Sequence, residues 1–467
     1  MVAYDPMQRV FAAMPGPGSI PLPSLDGQLV LAGSLLTEAA DDFGHLVSSA
    51  PVAVLAPGSI DDIRKLVIFA NAQGIKIGGM SMIGNSHSTY GQSQVAGGVV
   101  IDMAALSEIH EITADSALVD AGVRWIELLE ETLPLGKSPP TLTDHIDLSV
   151  GGTVSVGGIG GQSFRHGLHV DNVLELQIVT GTGRLVTCSP SQHARLFHAA
   201  RAGMGQFGII VRARVRLVDV PSMTRVYTAY YSDLVDMTSD QERLIADGRF
   251  DYVEGFAEPA PGGVGWIYKI ELTKHFDPGS EPDDTAMIGD LSFDTGTQAV
   301  VDMPYFDFAN RLAPLIAFLQ MIGAWTLPHP WIDMFVPGEH ANDFIQSVLD
   351  QTTLADTGQG PILIYPFDRT KVTAPLMAMP DSDVCYLFSI LRTAFPPEAA
   401  GAMVSQNRAL YEALRDIGGK RYAISSIPFD AQDWMDHFGA SWEDLVRAKQ
   451  QYDPHNVLTP GHGIFID

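Results

Sequence analysis

Cysteine is nearly absent from this chain. Only Cys188 and Cys385 occur in 467 residues. They are far apart and at no metal-ligand spacing, which argues against a disulfide framework or a cysteine zinc site and leaves buried free thiols as the expectation. Positive charge is scarce too: 28 Lys and Arg stand against 55 Asp and Glu, a formal net charge of -27. A polyanion-binding surface requires clustered cations, so no nucleic-acid partner is expected, only a solvated acidic surface. No uninterrupted apolar run is long enough to cross a bilayer. Residues 1–23 also lack the basic segment and apolar core of a signal peptide. The expectations are therefore no membrane partner and a cytoplasmic location. Nothing repeats internally, and order is expected past the first twenty residues.

What is present is a globular balance, 46% apolar and 18% charged, in a chain long enough for two or three domains. The stretch that organises the rest is 77–92, Ile-Gly-Gly-Met-Ser-Met-Ile-Gly-Asn-Ser-His-Ser-Thr-Tyr-Gly-Gln. Upstream, 51–55 reads as a strand and 59–71 as a helix capped by Ser59, with Ile63, Leu66, Val67 and Ala70 on one face. Glycines 78, 79, 84 and 91 permit close backbone approach to a ligand, and Asn85, Ser86 and Ser88 add short hydrogen-bonding groups. Such a loop suits a pyrophosphate. His87 at its centre is a base, a metal ligand or a covalent attachment point, with an incidental surface histidine as the plain alternative. The glycine spacing is not GxGxxG, so a Rossmann unit is rejected. Residues 99–102 and 118–121 read as strands and 127–132 as a helix.

Between 151 and 161 stand Gly151, Gly152, Gly157, Gly158, Gly160 and Gly161. That density predicts neither regular helix nor strand. Val150, Val154, Val156 and Ile159 are interleaved with the glycines, which a flexible linker would not show, so a ligand cradle is expected. Residues 173–180 and 185–188 read as a hairpin, and 209–217 as a strand of alternating Arg and apolar residues. Beyond Pro221 come amphipathic helices and short strands, with an acidic loop at 277–290. Residues 441–451 read as a helix, succeeded by a closing loop punctuated with Pro and Gly.

Gly84-Asn-Ser-His87-Ser88 followed by Tyr-Gly-Gln92 resembles the histidyl-flavin loop of the FAD-linked oxidases of the vanillyl-alcohol oxidase and p-cresol methylhydroxylase type. Six further motifs narrow the likeness. They are Thr143-Asp144 with Val150-Gly-Gly-Thr, Gly161-Gln-Ser-Phe-Arg-His166-Gly, Asp251-Tyr-Val-Glu254-Gly, Pro328-His-Pro-Trp331, Gly360-Pro-Ile-Leu-Ile-Tyr-Pro366 and Tyr452-Asp-Pro. Together and in order they resemble cytokinin dehydrogenases, over residues 25–465 or so.

The resemblance implies an α+β fold. An FAD-binding domain of residues 1–221 and 421–467 would carry an inserted substrate domain, 222–420, built as an antiparallel sheet covered by helices. It implies FAD, bonded through His87, with Gly84, Asn85, Ser86, Ser88 and Gln92 lining the pyrophosphate and ribityl groups. Ser149, Ser155, Ile159 and Ile210 are further implied contacts, with Tyr422 and His462 near the flavin. No cysteine matches a second attachment point.

Oxidising a C–N bond takes a hydride from carbon and a proton from nitrogen, so an ionised carboxylate beside the nitrogen is useful. Asp144 matches the family's catalytic aspartate. Glu254 matches a glutamate near the substrate entrance, with a strand-edge surface residue as its alternative; His166 and Trp331 are read as structural. The implied reaction converts a secondary amine, a cytokinin-like N6-alkenyl adenine, to an imine that hydrolyses to amine and aldehyde. The implied partners are that small molecule and an electron acceptor, oxygen or a quinone. Oxidation of an alcohol or amine of a secondary metabolite, or flavin binding without turnover, are the alternatives. The chain departs from the family pattern at Asn85-Ser86, at Tyr422-Ala-Ile-Ser-Ser and at His462.

Overall fold

In the computed structural model, residues 2–14, 16–80, 86–358 and 360–465 are described. Local signals translate directly in the N-terminal half. Ser59 accepts a hydrogen bond from the Asp62 amide and caps α1 (Ile60–Gln73), which Gly74 closes in the left-handed conformation. This helix links strands of a four-stranded sheet formed by β1 (Gln28–Val30), β2 (Ala53–Ala56), β3 (Ile77–Met80) and β4 (Val99–Asp102), in the order β1-β2-β4-β3. Both β2 and β3 pair parallel to β4, and parallel neighbours require a crossover such as α1.

A second sheet is antiparallel. It contains β5 (Ile109–Ile112), β6 (Ser116–Asp120), β7 (Val173–Val179), β8 (Leu185–Cys188) and β9 (Ile209–Arg216), in the order β8-β7-β9-β6-β5. The β7–β8 hairpin and the alternation of β9 agree with the sequence reading, and both cysteines are free and buried. Arg212 and Arg214 on β9 pair with Asp120 and Glu111.

Three expectations fail. Residues Val150–Val156 form a helix, α3, despite Gly151 and Gly152. A Cβ on Gly151 would stand 2.8 Å from that of Ala121, so tight packing on the strand end outweighs the propensity cost. Order begins well before residue twenty, with Ala3–Asp5, Val10–Ala12 and Ile20–Pro21 forming a small sheet whose Tyr4 and Phe11 pack on Phe69 of α1. The acidic loop holds a short helix, Asp284–Ile288, capped by Asp283.

The C-terminal half is dominated by eight strands. They are β10 (Met223–Tyr231), β11 (Tyr252–Pro259), β12 (Trp266–Phe276), β13 (Ala299–Pro304), β14 (Ile332–Pro337), β15 (Ile362–Asp368), β16 (Val384–Ile390) and β17 (Lys420–Arg421). Their order is β13-β10-β12-β11-β15-β16-β14-β17. Short strands such as β17 stand beside longer ones of up to eleven residues.

Side chains alternate across this sheet. Met334, Val336, Ile364, Tyr386 and Phe388 pack with α4 (Leu234–Asp247), α5 (Gly338–Leu349) and α6 (Ala400–Asp416). The opposite face, with Phe335, Leu363, Tyr365, Phe367 and Leu387, belongs to the core that includes α1, α2 (Trp125–Thr132) and α3. The tail forms α7 (Trp442–Tyr452). Among the described residues no helix is long and apolar enough to cross a membrane.

Candidate active site

The loop after β3 emerges at Ser86; Gly84 and Asn85 lie outside the described residues. The turn 41–45 braces residues 86–91. Phe43 N–H donates to the Ser86 carbonyl and Gly44 N–H to that of Ser88. Buried Asp42 accepts from Ser88 Oγ at 2.9 Å, Gly91 N–H at 2.7 Å and Gly44 N–H at 3.1 Å. Burial pushes its carboxyl up to about 7, against those hydrogen bonds. His87 is thereby held with its ring stacked on Phe43, centroids 4.7 Å apart, and tilted against His145 at 4.8 Å. Trp325 and Trp331 close on the same Phe43 ring. Burial lowers the His145 pKa, favouring a neutral imidazole.

Asp144 precedes His145 and opens a polar cluster on one face of the eight-stranded sheet. Tyr252 and Glu254 are alternate residues of β11, hence on one face, and Glu271 is the register partner of Glu254 on β12. Tyr252 Oη lies 2.6 Å from Asp144 Oδ1 and is also hydrogen-bonded to Glu254 Oε2. Arg311 Nη2 donates to Asp144 Oδ1 at 2.8 Å and reaches Tyr252 Oη and Glu254 Oε2; its Nε donates to Glu271 Oε1 at 3.1 Å.

A tyrosine has one proton to offer, so two ionised carboxylates cannot both receive it. Glu254 is 1% exposed, whereas the Asp144 side chain retains 19% exposure. Burial, then the Asp144 charge, holds the Glu254 pKa well above the usual carboxylate range. A proton held on Glu254 would let it donate to Tyr252, leaving the phenol proton for the Asp144 carboxylate. The alternative of a strand-edge surface glutamate does not apply: Glu254 is buried inside a central strand and sits behind Tyr252.

The other expected residues make contacts of their own. Ser149 Oγ caps α3 by accepting from Gly152 N–H, and Ser155 Oγ donates to the Gly151 carbonyl. Gln92 Oε1 accepts from Thr89 and Tyr90 N–H, Ser86 Oγ pairs with Ser93 Oγ, and Tyr422 Oη accepts from Gly158 N–H. Ile159 and Ile210 are buried in the core containing α3 and β9. The glycines beyond α3 serve protein contacts too, since a Cβ on Gly161 would strike the Tyr252 ring at 2.5 Å and one on Gly160 the Leu142 carbonyl at 1.8 Å.

The donor set fits FAD in one checkable respect. His462 is half-buried in the turn Pro460–His462, which packs on Gly91 and Gln92, and its buried Nδ1 has no partner among the described residues. Burial lowers its pKa to about 3, leaving a neutral ring nitrogen available to a ligand of that loop.

Sequence reasoning missed Tyr252, Arg311, Glu271, Asp42 and Phe43. Tyr252 was findable, two residues from Glu254 within the same Asp251-Tyr-Val-Glu254-Gly motif. Arg311 is 167 positions from Asp144 and carries no local signal.

Comparison with known proteins points one way. Residues 51–189 match a profile described as FAD binding domain, and 259–465 one described as cytokinin dehydrogenase 1, FAD and cytokinin binding. An uncharacterized oxidoreductase, ORF5 of a fasciation locus in Rhodococcoides fascians, is 38% identical across 92% of this chain and 98% of its own length. Cytokinin dehydrogenase 5 of Oryza sativa subsp. japonica is 37% identical across 94% and 91%. Cytokinin dehydrogenase 2 of Arabidopsis thaliana is 35% identical across 95% and 94%.

Proposed function

The chain belongs to the cytokinin dehydrogenase family of FAD-dependent oxidoreductases, and from that footing we propose that it oxidises the C–N bond of an N6-alkenyl adenine or a close analogue. The observation that carries this reading is the adjacency of Asp144 to His145, whose ring touches His87. It supports a base standing beside the flavin. We propose further that His87 is the flavin's covalent attachment point, and that residues 1–221 with 421–467 form the FAD domain and 222–420 the substrate domain.

When bound, the flavin supplies the acceptor for the hydride. Asp144 takes the proton from the substrate nitrogen, leaving a C=N bond that water cleaves to amine and aldehyde. Tyr252 and Arg311 both donate to Asp144 Oδ1, which orients the carboxylate before substrate arrives. With Glu254 neutral, Asp144, Glu271 and Arg311 sum to one formal negative charge. Positive charge grows on the C–N unit as hydride leaves, so a net negative, water-poor cluster stabilises that transition state. Hydride loss from an alcohol builds charge of the same sign on a C–O unit, but oxygen carries positive charge less well than nitrogen. The cluster therefore suits an amine better than an alcohol.

Stopped-flow reduction of the flavin by a matched amine and alcohol panel tests the reading. Asp144→Asn should slow reduction by the amine by about two to four powers of ten with flavin content unchanged. A wild-type rate in the Asn variant, or reduction by alcohols alone, would sink it. Covalency is checked separately: acid-precipitated protein should stay yellow and its mass exceed the chain by one FAD, and colour released entirely to the supernatant refutes the bond.

A further inference from the structure

One buried acid near the cluster has an oxygen that the protein leaves unpaired. Asp333 on β14 is opposite Ser389 on β16, Ser389 is opposite Leu363 on β15, and Leu363 is opposite Phe256 on β11. Opposed residues of antiparallel strands share a face, as do alternate residues of one strand. Asp333 is therefore on the face of Tyr252, Glu254 and Tyr365. Trp331, two residues earlier, meets the Phe43 ring at 5.0 Å, and Phe43 stacks on His87. Tyr365 lies within electrostatic reach of Asp144, Glu254 and Asp333 alike.

Asp333 is 4% exposed. Ser389 Oγ donates to its Oδ1 at 2.7 Å, while Oδ2 is equally buried and has no hydrogen-bond partner among the described residues. A buried carboxylate oxygen without a donor is rare enough in native proteins to require an occupant. Burial pushes the carboxyl up to about 6, with Ser389 and Arg421 opposing the rise, so the acceptor form prevails at pH 7.5. Phe335 and Leu387 beside it on this face are apolar, the nearby Ser425 Oγ and Tyr422 N–H are engaged by the Asp333 backbone, and a lone water needs two to four polar partners. The backbones carrying Glu254 and Asp333 are three strand spacings apart, about 14 Å. A bicyclic heteroaromatic ring whose exocyclic nitrogen is at Asp144 would have to bridge that span.

We propose that Asp333 Oδ2 accepts a hydrogen bond from a ring N–H of the substrate heterocycle, making Asp333 the residue that selects free ring N–H over N-alkylated ring. This rests on the amine reading above. The test uses flavin-loaded enzyme and 6-anilinopurine, which presents no oxidisable carbon on its exocyclic nitrogen, together with its ring-N-methylated isomers, titrated by the perturbation of flavin absorbance. Wild-type protein should bind the parent at least about tenfold more tightly than the isomer lacking the relevant N–H, and Asp333→Ala should bind the two within about twofold. Asp333→Asn, which presents its amide oxygen to one partner at a time, should narrow the gap at least about threefold and serves if the Ala variant does not fold.

Equal discrimination in wild type and variant overturns the assignment alone and leaves the oxygen to a structural water. A shifted flavin midpoint potential with discrimination intact also overturns it, assigning the oxygen to the flavin. Wild-type protein that binds none of these heterocycles refutes the amine reading and this assignment together.

Discussion

At the scale of single residues the site is a problem in counting protons. Asp144, Glu254 and Glu271 share one guanidinium and one phenol, and the arrangement holds together only if one carboxyl stays neutral. Glu254→Gln keeps a neutral donor toward Tyr252, so flavin reduction at pH 7 should remain within about tenfold of wild type; a loss as large as that of Asp144→Asn would refute a neutral Glu254. A carboxyl whose folded pKa is raised binds more protons folded than unfolded above its unfolded pKa, so its stabilising contribution is full in acid and falls as pH rises through the folded value. The wild type should lose stability relative to Glu254→Gln as pH climbs above the usual carboxylate range, in parallel denaturation series. Arg311 makes the complementary case. Its charge opposes the rise in the Glu254 pKa, so Arg311→Met should move the acid limb of the reduction rate to higher pH, and Arg311→Lys should restore part of the shift. An unmoved limb would make Arg311 merely structural. Asp144 and Glu254 were legible because each sits in a motif. Arg311 and Asp42 were not, since nothing local marks a cation or acid that meets its partners only after folding.

At the scale of elements, glycine placement separates what sequence can reveal from what it cannot. Glycine density alone predicts an irregular cradle, yet α3 runs through the first half of the run, because the propensity argument ignores what would occupy the missing side chain. Gly161 has ordinary dihedrals, but an added Cβ would meet the Tyr252 ring at 2.5 Å. Gly161→Ala should therefore displace the phenol and slow flavin reduction while flavin content persists. Gly401 on α6 meets nothing within 4 Å, so Gly401→Ala should leave the rate alone and raise stability by about 0.5–1 kcal/mol. Matched melting and stopped-flow runs decide the comparison; equal rates in both variants would detach Gly161 from the phenol. The turn 41–45 is a second such element. Asp42→Asn turns an acceptor facing the Gly44 amide or the Ser88–Gly91 pair into a donor. The fraction of flavin retained after acid precipitation should fall, and an unchanged fraction would show that the loop holds His87 without Asp42.

At the scale of the molecule, the hydrophobic contacts do not respect the proposed boundaries at 221 and 420. One face of the eight-stranded sheet packs on its own helices, but Phe335, Leu363, Tyr365, Phe367 and Leu387 on the other share a core with α1, α2 and α3. The segment after β17 ties the halves with polar contacts: Ser425 Oγ bonds Asp333, and Ser426 Oγ donates to the Thr89 carbonyl at 3.1 Å. Residues 222–420 made alone would expose that apolar face together with the acid cluster, which loses Asp144, a partner of Arg311. Burial of such surface is worth roughly 25 cal/mol per Å², and domains of ordinary size hold only about 5–15 kcal/mol in total, so a few hundred Å² of lost apolar contact removes most of the margin. The isolated fragment should be aggregated or molten, without a cooperative melt. The full chain should unfold with flavin fluorescence and far-ultraviolet dichroism falling in one coincident transition. A fragment that melts cooperatively, or two resolved transitions in the whole chain, would mean that the sheet is stable without the face on which the site is built, and that Asp144 and Glu254 are brought together by docking rather than by folding.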